Sequence, residues 1–353
     1  MGLENLGWDE THWAPLLREV AADNCQPGRI VAEHKGQYRM AAASGELWAE
    51  VAGKFYQATS RSQFPATGDF VAARMPESDG PAIIQAVLPR RTAFVRKAAG
   101  ERVEQQVVAA NVDTVFIISA LDHDFNLRRL ERYLTLAWES GSRPVLLLNK
   151  LDLCDDLQAR LDEVNTVALG VPVHPLSAAT EEGVDALAPY LQPGRTVAVI
   201  GSSGVGKSTL INRLLGHEVQ ATREVRRSDS RGRHTTTHRQ LFVLPSGGLM
   251  IDTPGMRELQ LWSSGDGFDA AFSDIESLAR GCQFQNCRHD RERGCAVRAA
   301  VDRGELDMDR LESYWKLGRE LDYLESQTNE DAALERKRAE KVANKAMKQF
   351  KNR

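Results

Sequence analysis

No run of eighteen apolar residues occurs in the 353-residue chain, so no membrane-spanning helix is expected. The N-terminus, MGLENLGWDETHW, carries acidic residues and no apolar segment, which excludes a secretory leader. Leu6 stands where a myristoylation signal needs Ser or Thr. A cytoplasmic location follows as the expectation. Cysteine is scarce and odd in number: Cys25, Cys154, Cys282, Cys287 and Cys295. That count, in a reducing compartment, argues against a disulfide framework. A net charge of −4 gives no global sign of a nucleic-acid partner, so the distribution of charge matters more than its sum. With 42% hydrophobic and 27% charged residues the composition is that of an ordinary globular protein, and the length exceeds what one core supports. Two or three domains are expected.

Residues 1–26 read as a short amphipathic helix, with Trp13, Leu16, Leu17 and Val20 at helical spacing. From 28 to 90 the pattern becomes short runs separated by Gly, Ser, Pro and Asp: Arg29–Ala32, Tyr38–Ala41, Leu47–Val51, Asp69–Ala72 and Ala82–Val87. Five short strands at this spacing predict a small β-barrel, with the OB type preferred and the SH3-like form left open by periodicity. Such a barrel suits RNA contact; the alternative is a packing domain without a ligand. A basic stretch, Arg90-Arg91 to Arg96-Lys97, reads as a linker that touches RNA or is simply solvated. Residues 91–262 alternate strands and helices, which predicts an α/β domain with a mostly parallel sheet. Val112–Ala120 (VDTVFIISA) reads as an apolar run fit for a strand buried on both faces. It is followed by a helix over Leu127–Glu139, strands at Val145–Leu148 and Val197–Ile200, and another ending at Met250–Ile251. Residues 263–353 hold three of the cysteines, then helices with Leu311, Trp315, Leu321 and Leu324 in one stripe, then a basic tail from Arg336 to Arg353. The tail is either an RNA-binding arm or a solvated one.

Gly201-Ser202-Ser203-Gly204-Val205-Gly206-Lys207-Ser208 fits G-x-x-x-x-G-K-S, and it sits between a strand and a helix opening at Thr209, the context the motif requires. Its glycines let backbone N–H groups turn inward on phosphate oxygens, and the helix start adds positive potential. Lys207 is expected on the β- and γ-phosphates and Ser208 on Mg²⁺, with Ser202, Ser203, Val205 and Thr209 completing the contact set. Fifty residues on, Asp252-Thr253-Pro254-Gly255 supplies a strand-end carboxylate for the Mg²⁺ sphere and a glycine N–H for the γ-phosphate. Between them Gly232-Arg233-His234-Thr235-Thr236-Thr237-His238 is polar and basic, a switch loop whose threonine completes the Mg²⁺ shell. Thr236 is favoured among three adjacent candidates.

Asn149-Lys150-Leu151-Asp152 follows a strand and decides between ATP and GTP. Guanine presents N1–H and the N2 amino group on one edge. The Asp152 carboxylate accepts from both, and adenine offers no such pair. Lys150 can lie along the base, Asn149 bridges loops, and Ser177-Ala178 fits the loop that reads the guanine O6. GTP is therefore expected. The motifs run in an unusual order: base at 149–152 and 177–178, phosphate loop at 201–208, then the switches at 232–238 and 252–255. A parallel sheet tolerates this, because a site is set by the spatial order of strands.

Cys282, Cys287, His289 and Cys295 offer three thiolates and an imidazole within fourteen residues, the donor set of a closed structural Zn²⁺ site. Gly281 and Gly294 are read as relieving backbone strain, and a redox thiol cluster is the alternative. Arg288, Arg291, Arg293 and Arg298 surround the cluster, so a metal-stiffened basic knob suited to phosphate contact is expected.

NKLD at 149–152, GSSGVGKS at 201–208, GRHTTTH at 232–238, DTPG at 252–255 and C-x4-C-x-H-x5-C resemble, over nearly the whole chain, the circularly permuted ribosome small-subunit-dependent GTPases of the RsgA (YjeQ) family. The resemblance implies an OB-fold N-terminal domain, a permuted GTPase domain, a zinc-binding C-terminal domain, and binding to the 30S subunit and its 16S rRNA in late maturation. The domains are expected at 1–90, 91–262 and 263–353, in a monomer that turns GTP into GDP and phosphate. Many GTPases place a glutamine after D-x-x-G to orient the attacking water, but the residue here is Met256. Intrinsic hydrolysis is expected to be slow until a partner accelerates it. His234 is the candidate for positioning water, favoured by the resemblance; the alternative is a loop residue with no role. Two further readings stand beside this one. One is an RNA-binding module holding GTP as a structural ligand. The other is a permuted GTPase of the large subunit, which the barrel and the metal knob argue against.

Overall fold

A computed structural model describes residues 2–20, 24–34, 36–58, 61–76, 80–97, 105–216, 239–252, 266–324 and 326–327. Five strands form the N-terminal barrel: β1 (Cys25–His34), β2 (Gln37–Ala42), β3 (Gly45–Val51), β4 (Phe70–Arg74) and β5 (Ala82–Val87). They run in the order 1-2-3-5-4, and β1 closes the circle by pairing with β4. The β3–β5 pair is parallel and the rest antiparallel, with α2 (Gly53–Ala58) between β3 and β4. This closure gives the OB arrangement. β1 serves two partners because its register shifts between Ile30 and Ala32: residues 25–29 pair with β4, and 29–34 with β2. Side chains alternate as the pleat requires. Val71 and Ala73 fill the barrel with Ile30, Met40 and Ile84, while Phe70 and Ala72 face outward into the main core.

The N-terminal helix is shorter than its periodicity suggested. A 3-10 turn at Leu3–Leu6 precedes α1 (Glu10–Val20), and β1 has begun by Cys25. Trp13, 1% exposed, packs its ring tilted against Phe70, centroids 4.7 Å apart, and fastens α1 to the barrel's outer face.

The stretch read as a basic linker belongs to a hairpin, β6 (Ala93–Lys97) with β7 (Gln105–Ala110). Its arginines are engaged. Arg90 donates to both carboxylate oxygens of buried Asp69 at 2.7 and 2.8 Å and to the carbonyls of Ser62 and Phe64. Arg91 lies over the Trp13 ring, and Arg96 pairs with Gln106.

The second sheet region contains β8 (Thr114–Ala120), β9 (Arg143–Asn149), β10 (Val173–Pro175), β11 (Thr196–Gly201), β12 (Gln240–Val243) and β13 (Leu249–Asp252), ordered 10-9-8-11-13-12. All pairs are parallel except β12–β13. β8 is buried throughout, with an apolar centre Val115–Ile118, because both its faces are covered. Val115 and Ile117 point to the core shared with α3 (Leu127–Glu139), and Phe116 and Ile118 to the other side, where α5 (Lys207–Leu215) lies. The two regions make one eleven-stranded sheet, joined where β1 Ala32 pairs with β12 Gln240. Arg239 and Glu33 pair across that seam at 3.1 Å.

Beyond the sheet, α4 (Leu157–Asn165) buries Val164 in the main core. The C-terminal part contains α6 (Asp266–Ala271), α7 (Ser273–Ala279), α8 (Ala296–Asp302) and a helix at 308–324. Leu311, Leu317 and Leu321 are its buried stripe, while Trp315 is only half-buried and donates its indole N–H to Arg288 O. α3 and this module meet through charges. Arg310, 3% exposed, bonds Glu131 at 2.8 Å and Asp274 at 2.9 Å and lies over Phe272, and Arg132 grips both carboxylate oxygens of Glu320.

Candidate nucleotide site and metal centre

Parallel strands place their C-terminal ends on one edge, where ligands of open α/β sheets bind. β11 ends there in the 201–208 loop, β9 in Asn149, and β13 in Asp252, one step beyond the Ala198–Ile251 pair. The loop turns on Gly204 and Gly206, with φ of +80° and +97°, a region other residues adopt only under strain. A Cβ at Gly206 would fall 2.1 Å from Asn149 Nδ2, so only glycine lets the two motifs touch. Asn149 is the bolt between them. Its Nδ2 donates to Val205 O at 2.6 Å, and its Oδ1 accepts from Ala178 N at 2.9 Å. Ser177 Oγ donates to Asp152 Oδ1 at 2.5 Å, steering that carboxylate from the neighbouring loop. The structure thus brings 149–152, 177–178 and 201–208 together. Lys207 Nζ, at the loop's end, donates to the carbonyls of Gly201 and Ser202. Ser208 and Thr209 open α5 behind it. His234, Thr236, Gly255 and Met256, like the basic tail, lie outside the described residues.

Two features of this edge carried no motif. Lys150 is held at φ +65°, a left-handed conformation rare for a long side chain. Its ammonium meets Asp122 at 2.7 Å. Burial opposes ionisation of Asp122, but the Lys150 hydrogen bond and the Asp124 N–H outweigh it and hold the carboxyl below its ordinary value. Asp124 bonds Ser202 and Arg129 and is likewise held low, chiefly by Arg129. Only the adjacency of β8 to β9 and β11 reveals these contacts.

The donor atoms of Cys282, Cys287, His289 and Cys295 all lie within 4.8 Å of one another. Cys282 Sγ is 3.6 Å from His289 Nδ1 and 3.9 Å from Cys295 Sγ, and Cys295 Sγ is 3.5 Å from His289 Nδ1. A tetrahedron with Zn–S and Zn–N bonds of normal length has edges of about 3.5–3.8 Å, so these residues fit a four-coordinate metal ion. His289 is 4% exposed, and its φ of +60° shows the backbone bent to bring the ring in. Burial works against ionisation of Cys282, but the N–H groups of Ala296 and Val297 outweigh it and hold the thiol low. Arg298 N–H donates to Cys295 Sγ at 3.4 Å. Burial pushes Cys287 up to about 11, the adjacent thiols adding to it, which a bound cation would reverse. Gly294, at φ +71°, has the strain-relieving role expected of it, whereas Gly281 does not have positive φ. Glu292 accepts the backbone N–H groups of Arg288, Asp290 and Arg291 and so fixes the loop carrying the exposed arginines.

A Ras-type strand order with the base loop earlier in the chain than the phosphate loop, preceded by an OB barrel, defines a circularly permuted P-loop GTPase. A family model described as RsgA GTPase matches residues 87–262. The Small ribosomal subunit biogenesis GTPase RsgA of Opitutus terrae is 50% identical over 333 residues, covering 92% of this chain and 90% of that protein. The crystal structure of YjeQ from Thermotoga maritima superposes with a TM-score of 0.63 at 26% identity, covering 84% of this chain and 98% of that one. YloQ, a circularly permuted GTPase, shares the fold at a TM-score of 0.61 and 24% identity, covering 85% and 96%. The chain belongs to the RsgA GTPase family.

Proposed function

We propose that this GTPase acts in biogenesis of the small (30S) ribosomal subunit, the process named for its relatives. The observation that supports it most is the bolting of the N-K-x-D loop to the phosphate loop through Asn149, which leaves Asp152 and Lys207 to share one guanosine triphosphate. Asp152 accepts from the guanine N1–H and N2 amino groups, Lys150 lies along the base, and the Ala178 loop reads O6. The N–H groups of 201–209 cradle the phosphates, and Lys207 neutralises charge that grows on the β–γ bridge as it breaks. Ser208, Asp252 and Thr236 are the residues for Mg²⁺, which supplies charge neutralisation when bound. Gly255 is assigned to the γ-phosphate and His234 to the attacking water, in the role that Met256, standing where many GTPases have glutamine, cannot fill. The four-residue cluster at 282–295 takes one structural Zn²⁺, whose chemistry is to hold the thiolates and fix the basic knob against 16S rRNA phosphates.

The functional parts divide at 1–90, 91–262 and 263–353, in a cytoplasmic monomer with no membrane role. No described helix is long and apolar enough to cross a membrane. Purified protein should hydrolyse GTP and leave ATP untouched. Equal turnover of ATP and GTP would defeat the base-site assignment.

A further inference from the structure

The loop between β8 and α3, residues 121–126, touches both halves of the nucleotide site. At its start Asp122 Oδ2 accepts from Lys150 Nζ at 2.7 Å, the two side chains being only 15% and 27% exposed. Two residues later Asp124 Oδ2 accepts from Ser202 Oγ at 2.8 Å and from Arg129 Nη1 at 2.7 Å. Arg129 Nη1 also donates to Ser202 Oγ at 2.8 Å, closing a three-membered ring of charge-assisted bonds on the second residue of the phosphate loop. Asp124 N–H donates to Asp122 Oδ1 at 2.9 Å, which ties the Asp122 carboxylate to the backbone of the same loop. Asn126 caps α3 by accepting from Arg129 N at 2.9 Å, which fixes the root of the arginine.

We infer that Asp122 and Asp124 are positioning residues of the nucleotide site. Asp122 sets Lys150 for the base, and Asp124, through Arg129 and Ser202, sets the phosphate loop. This rests on the guanine-nucleotide reading above. A lysine on a flexible four-carbon stem must be ordered before it can lie along a base, and a carboxylate that anchors its ammonium beforehand removes that cost from binding. The phosphate loop has the complementary need: its N–H groups must point at oxygens within a narrow tolerance, and Ser202 ties the loop to a charged pair on another element. The two carboxylates therefore divide the ligand between them, one acting on the nucleoside and the other on the phosphates.

The division can be read with ligands of increasing phosphate number on the full-length protein. The measurements are equilibrium titrations of GMP, GDP and GTP together with the melting temperature of nucleotide-free protein. Asp122→Asn should weaken all three ligands by one common factor, about tenfold, as expected for a single lost charge-assisted bond. Asp124→Asn should leave GMP unchanged and weaken GDP and GTP, also about tenfold. Ser202→Ala, which removes the same bond from the other side, should reproduce the Asp124→Asn pattern. Melting of the free protein should stay at the wild-type value in all three. A uniform loss across the ligands in Asp124→Asn, a loss tracking a lowered melting temperature, or no loss in either aspartate variant would overturn the inference. Wild-type selection of GDP over ADP, taken in the same titrations, tests the nucleotide site itself, so the two failures are read separately.

Discussion

Asp152 shows how much one side chain decides. Ser177 holds its Oδ1 at 2.5 Å, so the carboxylate presents a fixed edge to whatever lies in the cleft. Asp152→Asn replaces an acceptor by a donor, which suits the C2 carbonyl of xanthine and strands the amino group of guanine. Competitive turnover should show the GTP-to-XTP preference falling by roughly a hundredfold or more, since an unmet buried polar group is costly. A variant that still prefers GTP would contradict the assignment. The meeting of Asn149, Asp152, Ser177 and the phosphate loop was legible in the sequence because each motif is contiguous and follows a strand. Asp122, Asp124 and Arg129 were not. Their partners in the motifs, Lys150 and Ser202, lie 28 to 78 residues away, and only the pairing of β8 with β9 and β11 brings them near. The left-handed backbone of Lys150 was equally hidden, for no residue preference signals it.

At the scale of elements, α3 joins the nucleotide edge to the C-terminal module. Its first turn carries Arg129 against Ser202, and its middle carries Glu131 and Arg132 against Arg310 and Glu320. Glu131 is fully buried, and one of its oxygens has no hydrogen-bond partner; its other oxygen is compensated by Arg310 at 2.8 Å and by the more exposed Arg128 at 2.5 Å. Arg310→Met should cost about 3 kcal/mol, the low end for breaking a buried pair because Arg128 stays on Glu131, and Arg310→Met with Glu131→Gln should recover part of it. Urea denaturation midpoints of the two variants measure this. A loss below about 1 kcal/mol in the single variant, typical of a surface pair, would show the contact to be incidental. The strands of the barrel and the buried strand β8 were readable because their periods, two and continuous, follow from one covered face or two. The β6–β7 hairpin escaped because its first strand, Ala93-Phe94-Val95-Arg96-Lys97, is short and ends in charge. It is held by contacts remote in sequence, such as Ala93 N–H to Ser140 O.

Among the described residues one eleven-stranded sheet runs from barrel to nucleotide edge, the β6–β7 hairpin forms a second small sheet, and a module with a metal-fitting cluster is attached through α3. The segment at 282–295 has little apolar core of its own: Phe284 is 48% exposed, and Gln285 and Asn286 face solvent. Elemental analysis should find one zinc per chain. Its removal by a chelator should expose 282–295 to proteolysis while the barrel stays resistant, as expected where metal binding supplies a segment's folding energy. Unchanged cleavage after complete removal would refute a structural metal. The permuted order was legible from motif positions alone, whereas the continuity of the sheet through Ala32 and Gln240 was not, since a single bridge leaves no pattern in sequence. The central claim is that this permuted site works for the small ribosomal subunit. Its most direct test is GTP turnover by the full-length chain, titrated in parallel with purified small and large subunits. Slow basal hydrolysis that rises to saturation with small subunits alone is the predicted result. A rate indifferent to small subunits, or raised equally by large ones, would contradict the account.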